Sequence, residues 1–341
     1  MTDDVEVSIV VSTRNRASLL PHGLRSLTVQ SSAVPFEIVV VDNGSSDSTG
    51  NMVREWSRRD ERVRLVEEPK VGLSFAKNAG LRSVRGSLVL FTDDDVVVPE
   101  GWVATYVAFF AARLDFRGLA GGPILPIAHD LSPWPPWVSP AATVDLPRLY
   151  HGPRERSLEG AEWIWGANMA GRATYLNEVG GFDESVGRSG DERGTFEDVE
   201  LVDRVRTAGG KVWYCPTAIV HHRVDPSASR PRSLVSRAFN RGANDFLRAQ
   251  RGSYFESDIL VPRRSLPAAM MLPGFFASWI LCAGGFRLVQ RRSILDLVRR
   301  SAWGAGWCLA ASTERRSRRI QFGVRRVIAV VRALTLRLTP E

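Results

Sequence analysis

Four short apolar runs, each followed by turn-forming or charged residues, recur through the first hundred positions and restrict the chain to one fold class. Residues 7–13, 36–41, 63–66 and 88–91 are short and almost uniformly apolar, the pattern of strands buried on both faces. Between them, Leu19, Leu20, Leu24 and Leu27 share one helical side. A second helix is expected around residues 52–56, and Gly72-Leu-Ser-Phe-Ala-Lys-Asn-Ala-Gly-Leu81 opens a third. Alternation of this kind builds a parallel sheet through right-handed crossovers. The polar clusters 13–15, 42–47 and 93–95 all follow strands, so they should gather along one sheet edge. Open α/β sheets bind ligands there, beyond the carboxyl ends of their strands. No GxGxxG follows the first strand, which argues against a dinucleotide cofactor.

The densest of those clusters is Asp93-Asp94-Asp95, at the exit of the fourth run. Carboxylates packed this closely repel one another, and folding gains nothing from them unless a cation sits between them. A solvated acidic turn is the alternative for the triplet taken alone.

Beyond residue 100 the pattern loosens. A helix is expected over 101–112 and a strand over 121–125, and residues 131–160 form a long Pro- and Trp-rich loop that includes Ser132-Pro-Trp-Pro-Pro-Trp137. That cluster reads either as loop packing or as a ligand platform. Trp163-Ile-Trp-Gly-Ala-Asn168 resumes strand character, followed by a helix to Val179, then Gly180-Gly-Phe-Asp183 and a polar loop over 184–195. Phe196-Glu-Asp-Val-Glu-Leu201 begins a helix whose first-turn acids could answer to the macrodipole alone. Strands are expected at 211–214 and 218–220, the second ending at His221-His222, and a basic helix at 230–250.

Taken together, Val10-Val-Ser-Thr-Arg-Asn15, Val39-Val-Val-Asp-Asn-Gly-Ser-Ser-Asp47, Gly72-Leu-Ser-Phe-Ala-Lys-Asn78, Phe91-Thr-Asp-Asp-Asp95, Gly180-Gly-Phe-Asp183 and Glu197-Asp198 resemble the ordered motifs of the family 2 glycosyltransferases. The resemblance covers roughly residues 6–225 and implies the GT-A nucleotide-sugar-binding fold. It also implies a metal-dependent, inverting transfer from a nucleoside diphosphate sugar. By that likeness Thr13, Arg14, Asn15, Asp42, Asn43, Lys77, Asn78, Asp93 and Asp94 would bind the donor, with Asp42 at the base and Asp93 near the ribose. Asp95 would hold Mn²⁺ or Mg²⁺. His222 matches a histidine that supplies a further ligand in some relatives, a surface histidine being the alternative. Asp198 would be the catalytic base, and Trp163, Trp165, Gly166 and Glu197 would line the acceptor. The donor would be of the UDP, dTDP or GDP type. The Gln-x-x-Arg-Trp motif of processive synthases is missing, the corresponding stretch reading Arg237-Ala-Phe-Asn-Arg-Gly242, so transfer of one sugar is expected.

The net charge of +8 belongs to the tail: from Arg287 onward there are 13 arginines, no lysine and 3 acids. Leu266 to Phe286 is free of charge for 21 residues, but three glycines and two prolines make it a poor continuous helix. An interfacial or re-entrant segment is as compatible with it as a single span. Residues 321–338 form a basic amphipathic helix, with Val324, Val327, Ile328, Val331, Leu334 and Leu338 on one side. The organisation expected is a catalytic domain over 1–225, its nucleotide half 1–100 and acceptor half 101–225. A helical, membrane-associating region over 226–341 follows.

Cys215, Cys282 and Cys308 are too scattered for a disulfide framework, and no signal peptide is expected at the N-terminus. The expected location is therefore the cytoplasmic face of a membrane, in cell-envelope polysaccharide synthesis, with a glycan or lipid-linked acceptor and no nucleic acid partner. A sugar-nucleotide nucleotidyltransferase also places carboxylates beside a parallel sheet, but it would carry a Gly-rich loop where Thr13-Arg-Asn-Arg16 stands. A non-catalytic sugar-nucleotide-binding protein or an RNA-binding protein using the arginine tail are the rivals of other classes.

Overall fold

In the computed structural model, the described residues are 5–128, 133–136, 138–160, 162–185, 197–231 and 233–238. They form, in order, β1 (Val7–Thr13), α1 (Leu20–Thr28), β2 (Phe36–Asp42), α2 (Thr49–Arg59), β3 (Val63–Glu67), α3 (Leu73–Ser83), β4 (Leu88–Asp93) and β5 (Val96–Val97). Then come α4 (Trp102–Ala111), β6 (Gly118–Gly121), β7 (Ile124–Ala128), β8 (Arg156–Ser157), β9 (Asn168–Arg172), α5 (Ala173–Glu178), α6 (Glu197–Thr207), β10 (Lys211–Tyr214) and β11 (Val220–Val224).

The large sheet has the order β3-β2-β1-β4-β9-β6-β10-β8, and its first four strands are parallel. Side chains alternate across it. Ile9, Val11, Ile38, Val40 and Leu90 pack with Leu20, Leu24 and Leu27 of α1 and Trp102 and Tyr106 of α4. Val10, Val39, Val41, Val89 and Phe91 face the other way, with Ala76 of α3, Leu176 of α5 and Leu201 and Val205 of α6. Burial on both faces is why these strands carry continuous apolar runs. Each fully buried aliphatic side chain contributes about 1.5–3 kcal/mol.

Four expectations shift. The run at 121–125 is two strands, β6 and β7, interrupted at Gly122-Pro123 because proline cannot continue the ladder. Strand character begins at Asn168 rather than Trp163: β9 lies antiparallel between β4 and β6. That central position favours small residues, and a Cβ at Gly171 would stand 3.1 Å from Leu119. The stretch expected as loop over 131–160 contains a 3₁₀ turn, Pro140–Asp145, and β8. His221 and His222 lie inside β11, not past it, because the strand is extended by antiparallel pairing with β5.

Contacts divide the chain into two compact units, and both helical layers and the large sheet belong to the first, residues 1–126, 148–159 and 163–223. The second comprises 127–147, 160–162 and 224–341, and its described part holds a small cluster of Val138, Ala142, Leu146, Val224, Ala228 and Leu234, with Trp134 packed against it. Of the basic helix expected over 230–250, residues 231 and 233–238 are described and helical. The uncharged stretch 266–286, the amphipathic segment 321–338 and the polar loop from 186 to 195 lie outside the described residues. Among the described residues no helix is long and apolar enough to cross a membrane.

Candidate active site

Strand register brings the three polar clusters together. Thr13 stands opposite Asp42 in the β1–β2 pair, and Ser12 opposite Asp93 in the β1–β4 pair, so the ends of three strands share one edge. The clusters then diverge in what their side chains do. Asn15, the one described non-glycine residue in the left-handed region (φ 54°), accepts from the Ser46 amide at 2.8 Å and fastens the loop after β2. Asp42 caps the same loop by accepting from the Ser45 amide at 3.0 Å. Asn43 is buried, donates to the carbonyls of Glu68 and Lys70, and accepts from the Gly72 amide at 2.7 Å. It therefore shapes the loop leading into α3. Arg14 is exposed at the rim.

Within the acidic triplet, alternate residues face opposite ways. Asp94 is buried, accepts from the Thr13 hydroxyl at 2.7 Å and lies 3.9 Å from Arg16. Burial, reinforced by Asp95, raises its pKa to about 7. Asp93 and Asp95 instead converge with His222, and one ligand atom from each lies within 4.8 Å of the others. The His222 partnership is made by β11. His222 pairs with Val96, and the Arg223 amide donates to the Asp95 carbonyl at 2.8 Å, which sets the imidazole Nε2 3.2 Å from Asp95 Oδ1. Its Nδ1 is buried with no hydrogen-bond partner among the described residues.

Two carboxylates and an imidazole suit a divalent cation such as Mn²⁺ or Mg²⁺. The electrostatics point the same way. Burial raises the Asp93 pKa to about 6 against the pull of Lys77, and Asp95 adds to the rise. A cation would relieve both the burial and the repulsion. Asp93 thus belongs to the group that could hold a metal ion.

A second cluster forms where α3 meets the start of α6. Lys77 is 3% exposed, donates to Asp198 Oδ1 at 2.7 Å, and lies 3.3 Å from Glu197 Oε1. The other Asp198 oxygen accepts from the Gly166 amide at 2.8 Å. Burial opposes the Lys77 charge, but Asp198, Glu197 and Asp93 outweigh it and its pKa lies above the ordinary value. Glu197 is buried, and its Oε2 has no partner among the described residues. Asn78, the neighbour of Lys77, brackets Phe182 with both ends of its amide, at 2.8 Å each, and so holds the Gly180-Gly-Phe-Asp183 turn. Trp163 and Trp165 are half-buried and pack against the core. The Lys77–Asp198 pair has no signature in the sequence beyond a lysine set among apolar helix neighbours, since its members are 121 residues apart.

An α/β sheet with a convergent acidic edge of this design is the GT-A fold. The structure of a mannosyltransferase from Pyrobaculum calidifontis, solved with GDP-Man and Mn²⁺, superposes with a TM-score of 0.50 at 20% identity, covering 87% of this chain and 86% of that one.

Residues 8–118 match the family described as Glycosyl transferase family 2. Among curated relatives, the chain is 24% identical over 247 residues to a glucosyl-dolichyl phosphate glucuronosyltransferase of Haloferax volcanii, covering 70% of this chain and 75% of the relative. It is 34% identical over 105 residues to Glycosyltransferase GlyA of Streptococcus pneumoniae, covering 31% of this chain and only 15% of that relative's length.

Proposed function

We propose that the chain transfers one sugar from a nucleoside diphosphate sugar to a glycan or lipid-linked acceptor, with inversion at the anomeric carbon. The observation that carries this reading is the pairing of two sites in one unit: the Asp93–Asp95–His222 group on the sheet edge, and the Asp198 carboxylate held nearby in the sequence of charges through Lys77. Mn²⁺ or Mg²⁺ held by Asp93, Asp95 and His222 would neutralise the charge that develops on the departing diphosphate.

The remaining work falls to the chain's own groups. Asp198 accepts the acceptor hydroxyl proton as its oxygen bonds to the anomeric carbon, while the bond from that carbon to the diphosphate oxygen breaks. A single carboxylate acting on the incoming hydroxyl, with no second one forming a covalent intermediate, makes the displacement direct and the outcome inverting. Thr13, Arg14, Asn15 and Asp42 receive the nucleoside, with Asn43, Asn78 and Asp94 shaping that pocket through the contacts described. Trp163, Trp165, Gly166 and Glu197 belong to the acceptor side.

We assign catalysis to residues 1–225 and membrane association to 226–341, on the cytoplasmic face. The arginine-rich tail and the lipid-linked substrate named for the Haloferax relative support that assignment. Thermal shifts against UDP, GDP and dTDP, with and without Mn²⁺, followed by release of nucleoside diphosphate from the matching sugar nucleotide, test the reading. Stabilisation that does not depend on Mn²⁺, or binding without release, would refute it.

A further inference from the structure

Lys77 falls in the segment that the family resemblance assigns to the donor, yet its hydrogen bonds run to the acids at the start of α6. Its ammonium meets Asp198 and Glu197 and lies 4.8 Å from the centre of the Phe182 ring. We propose that Lys77 and the Gly166 amide together are the positioning device for the Asp198 carboxylate, and that Lys77 affects turnover through Asp198 and not by ligating the donor diphosphate. The proposal rests on the reading of Asp198 as the base.

The geometry carries it in three ways. Each Asp198 oxygen is gripped by one donor, Oδ1 by the ammonium from α3 and Oδ2 by the amide of the segment before β9. Two anchors on different oxygens fix the plane of the carboxylate, and each oxygen keeps a lone pair with which to take a proton. Position 166 also has no room for a side chain. A Cβ there would stand 2.4 Å from Lys77 Nζ and 2.7 Å from Asp198 Oδ1, so only glycine lets the two meet under that backbone. Finally, two carboxylates, Asp198 and Glu197, share one ammonium. The cluster stays net negative, and Lys77 can orient Asp198 without neutralising the group as a whole. A lysine so enclosed, 3% exposed, is poorly placed to reach a diphosphate in solution-facing space.

The test is a double-mutant cycle in the full chain, with nucleoside diphosphate release from a panel of UDP-, GDP- and dTDP-sugars in Mn²⁺ as the turnover readout. Calorimetric affinity for UDP, GDP or dTDP with Mn²⁺ is the binding readout. Lys77→Met and Gly166→Ala should each lower kcat toward the ~10²–10⁴-fold expected for a lost base. Nucleotide affinity should stay within about twofold, and Lys77→Met should add less than about twofold once Asp198→Asn is present.

A tenfold or greater loss of nucleotide affinity in Lys77→Met would overturn the proposal in favour of a donor ligand. So would a kcat loss from Lys77→Met that is undiminished in the Asp198→Asn background. If Asp198→Asn alone turns over normally, the base assignment itself has failed, an outcome distinct from additivity in an inactive Asp198→Asn. Should Lys77→Met not fold, Gly166→Ala, which retains every charge, carries the same cycle.

Discussion

Replacing Asp93 with Asn should make the metal-free protein more stable at pH 8 and remove most of its response to Mn²⁺. The carboxyl's pKa is raised from 3.8 to about 6, chiefly by burial, with Lys77 working against the rise and Asp95 adding to it. A carboxylate whose folded pKa lies above its unfolded value holds its proton more tightly in the native state. It costs the fold nothing below about pH 4, an increasing amount between 3.8 and about 6, and a constant amount above. At 1.36 kcal/mol per unit the penalty at pH 8 is about 3 kcal/mol. Asn keeps the shape and carries no charge, so its advantage over the parent should be absent near pH 4 and full by pH 7.

Urea unfolding in EDTA across pH 4–8 measures this directly. In saturating Mn²⁺ the order should reverse, because at a thousandfold excess over Kd the parent gains about 4.1 kcal/mol, more than the penalty of about 3 kcal/mol, and the variant has lost a ligand. A stability difference that does not vary with pH would refute the burial-and-repulsion account of this edge. A full Mn²⁺ response in Asp93→Asn would remove Asp93 from the ligand set.

Asp198→Asn should slow turnover by ~10²–10⁴-fold with nucleotide and metal affinity intact, and Glu197→Gln, which leaves the Lys77–Asp198 bond in place, should cost less; steady-state kinetics beside calorimetry decide this. Asn168→Ala should destabilise by at least ~2 kcal/mol in urea unfolding, since the buried amide accepts from Trp102 and Tyr106 and donates to the carbonyls of Pro123 and Ala218. Deleting residues 315–341 removes eight of the arginines and should weaken sedimentation with anionic liposomes while sparing nucleotide binding. Equal sedimentation of the two proteins would refute the tail as an anchor.

The four parallel strands were legible in the sequence because burial on both faces leaves no ambiguity of period: residues 7–13, 36–41, 63–66 and 88–91 match β1 to β4 within two residues. The acidic edge was legible for the same reason, each cluster simply following its strand. β9 was not. Its residues, Asn168-Met-Ala-Gly-Arg172, include Ala170 and Gly171 where the strand is enclosed between neighbours, and Asn and Gly signal loops while Trp163-Ile-Trp165 just upstream signals a strand. His222 was misplaced because a two-residue strand such as β5 has no period to detect, and it is β5 that extends β11. The long-range side-chain pairings, Lys77 with Asp198 and Asn78 with Phe182, are set by helix packing across more than a hundred residues, which local pattern cannot register.

Three consecutive aspartates look like redundancy, a reserve from which any member could be lost. The alternation of the triplet makes the opposite true. Asp94 turns inward to Thr13 while Asp93 and Asp95 turn to His222, so no member can stand in for its neighbour without rotating the backbone by half a pleat. A one-residue deletion in this turn would keep two acids on paper and yet present the wrong one to each partner. Drift at this position is therefore constrained in length as well as in composition, and a relative with only two acids here would need them spaced one residue apart to preserve the edge.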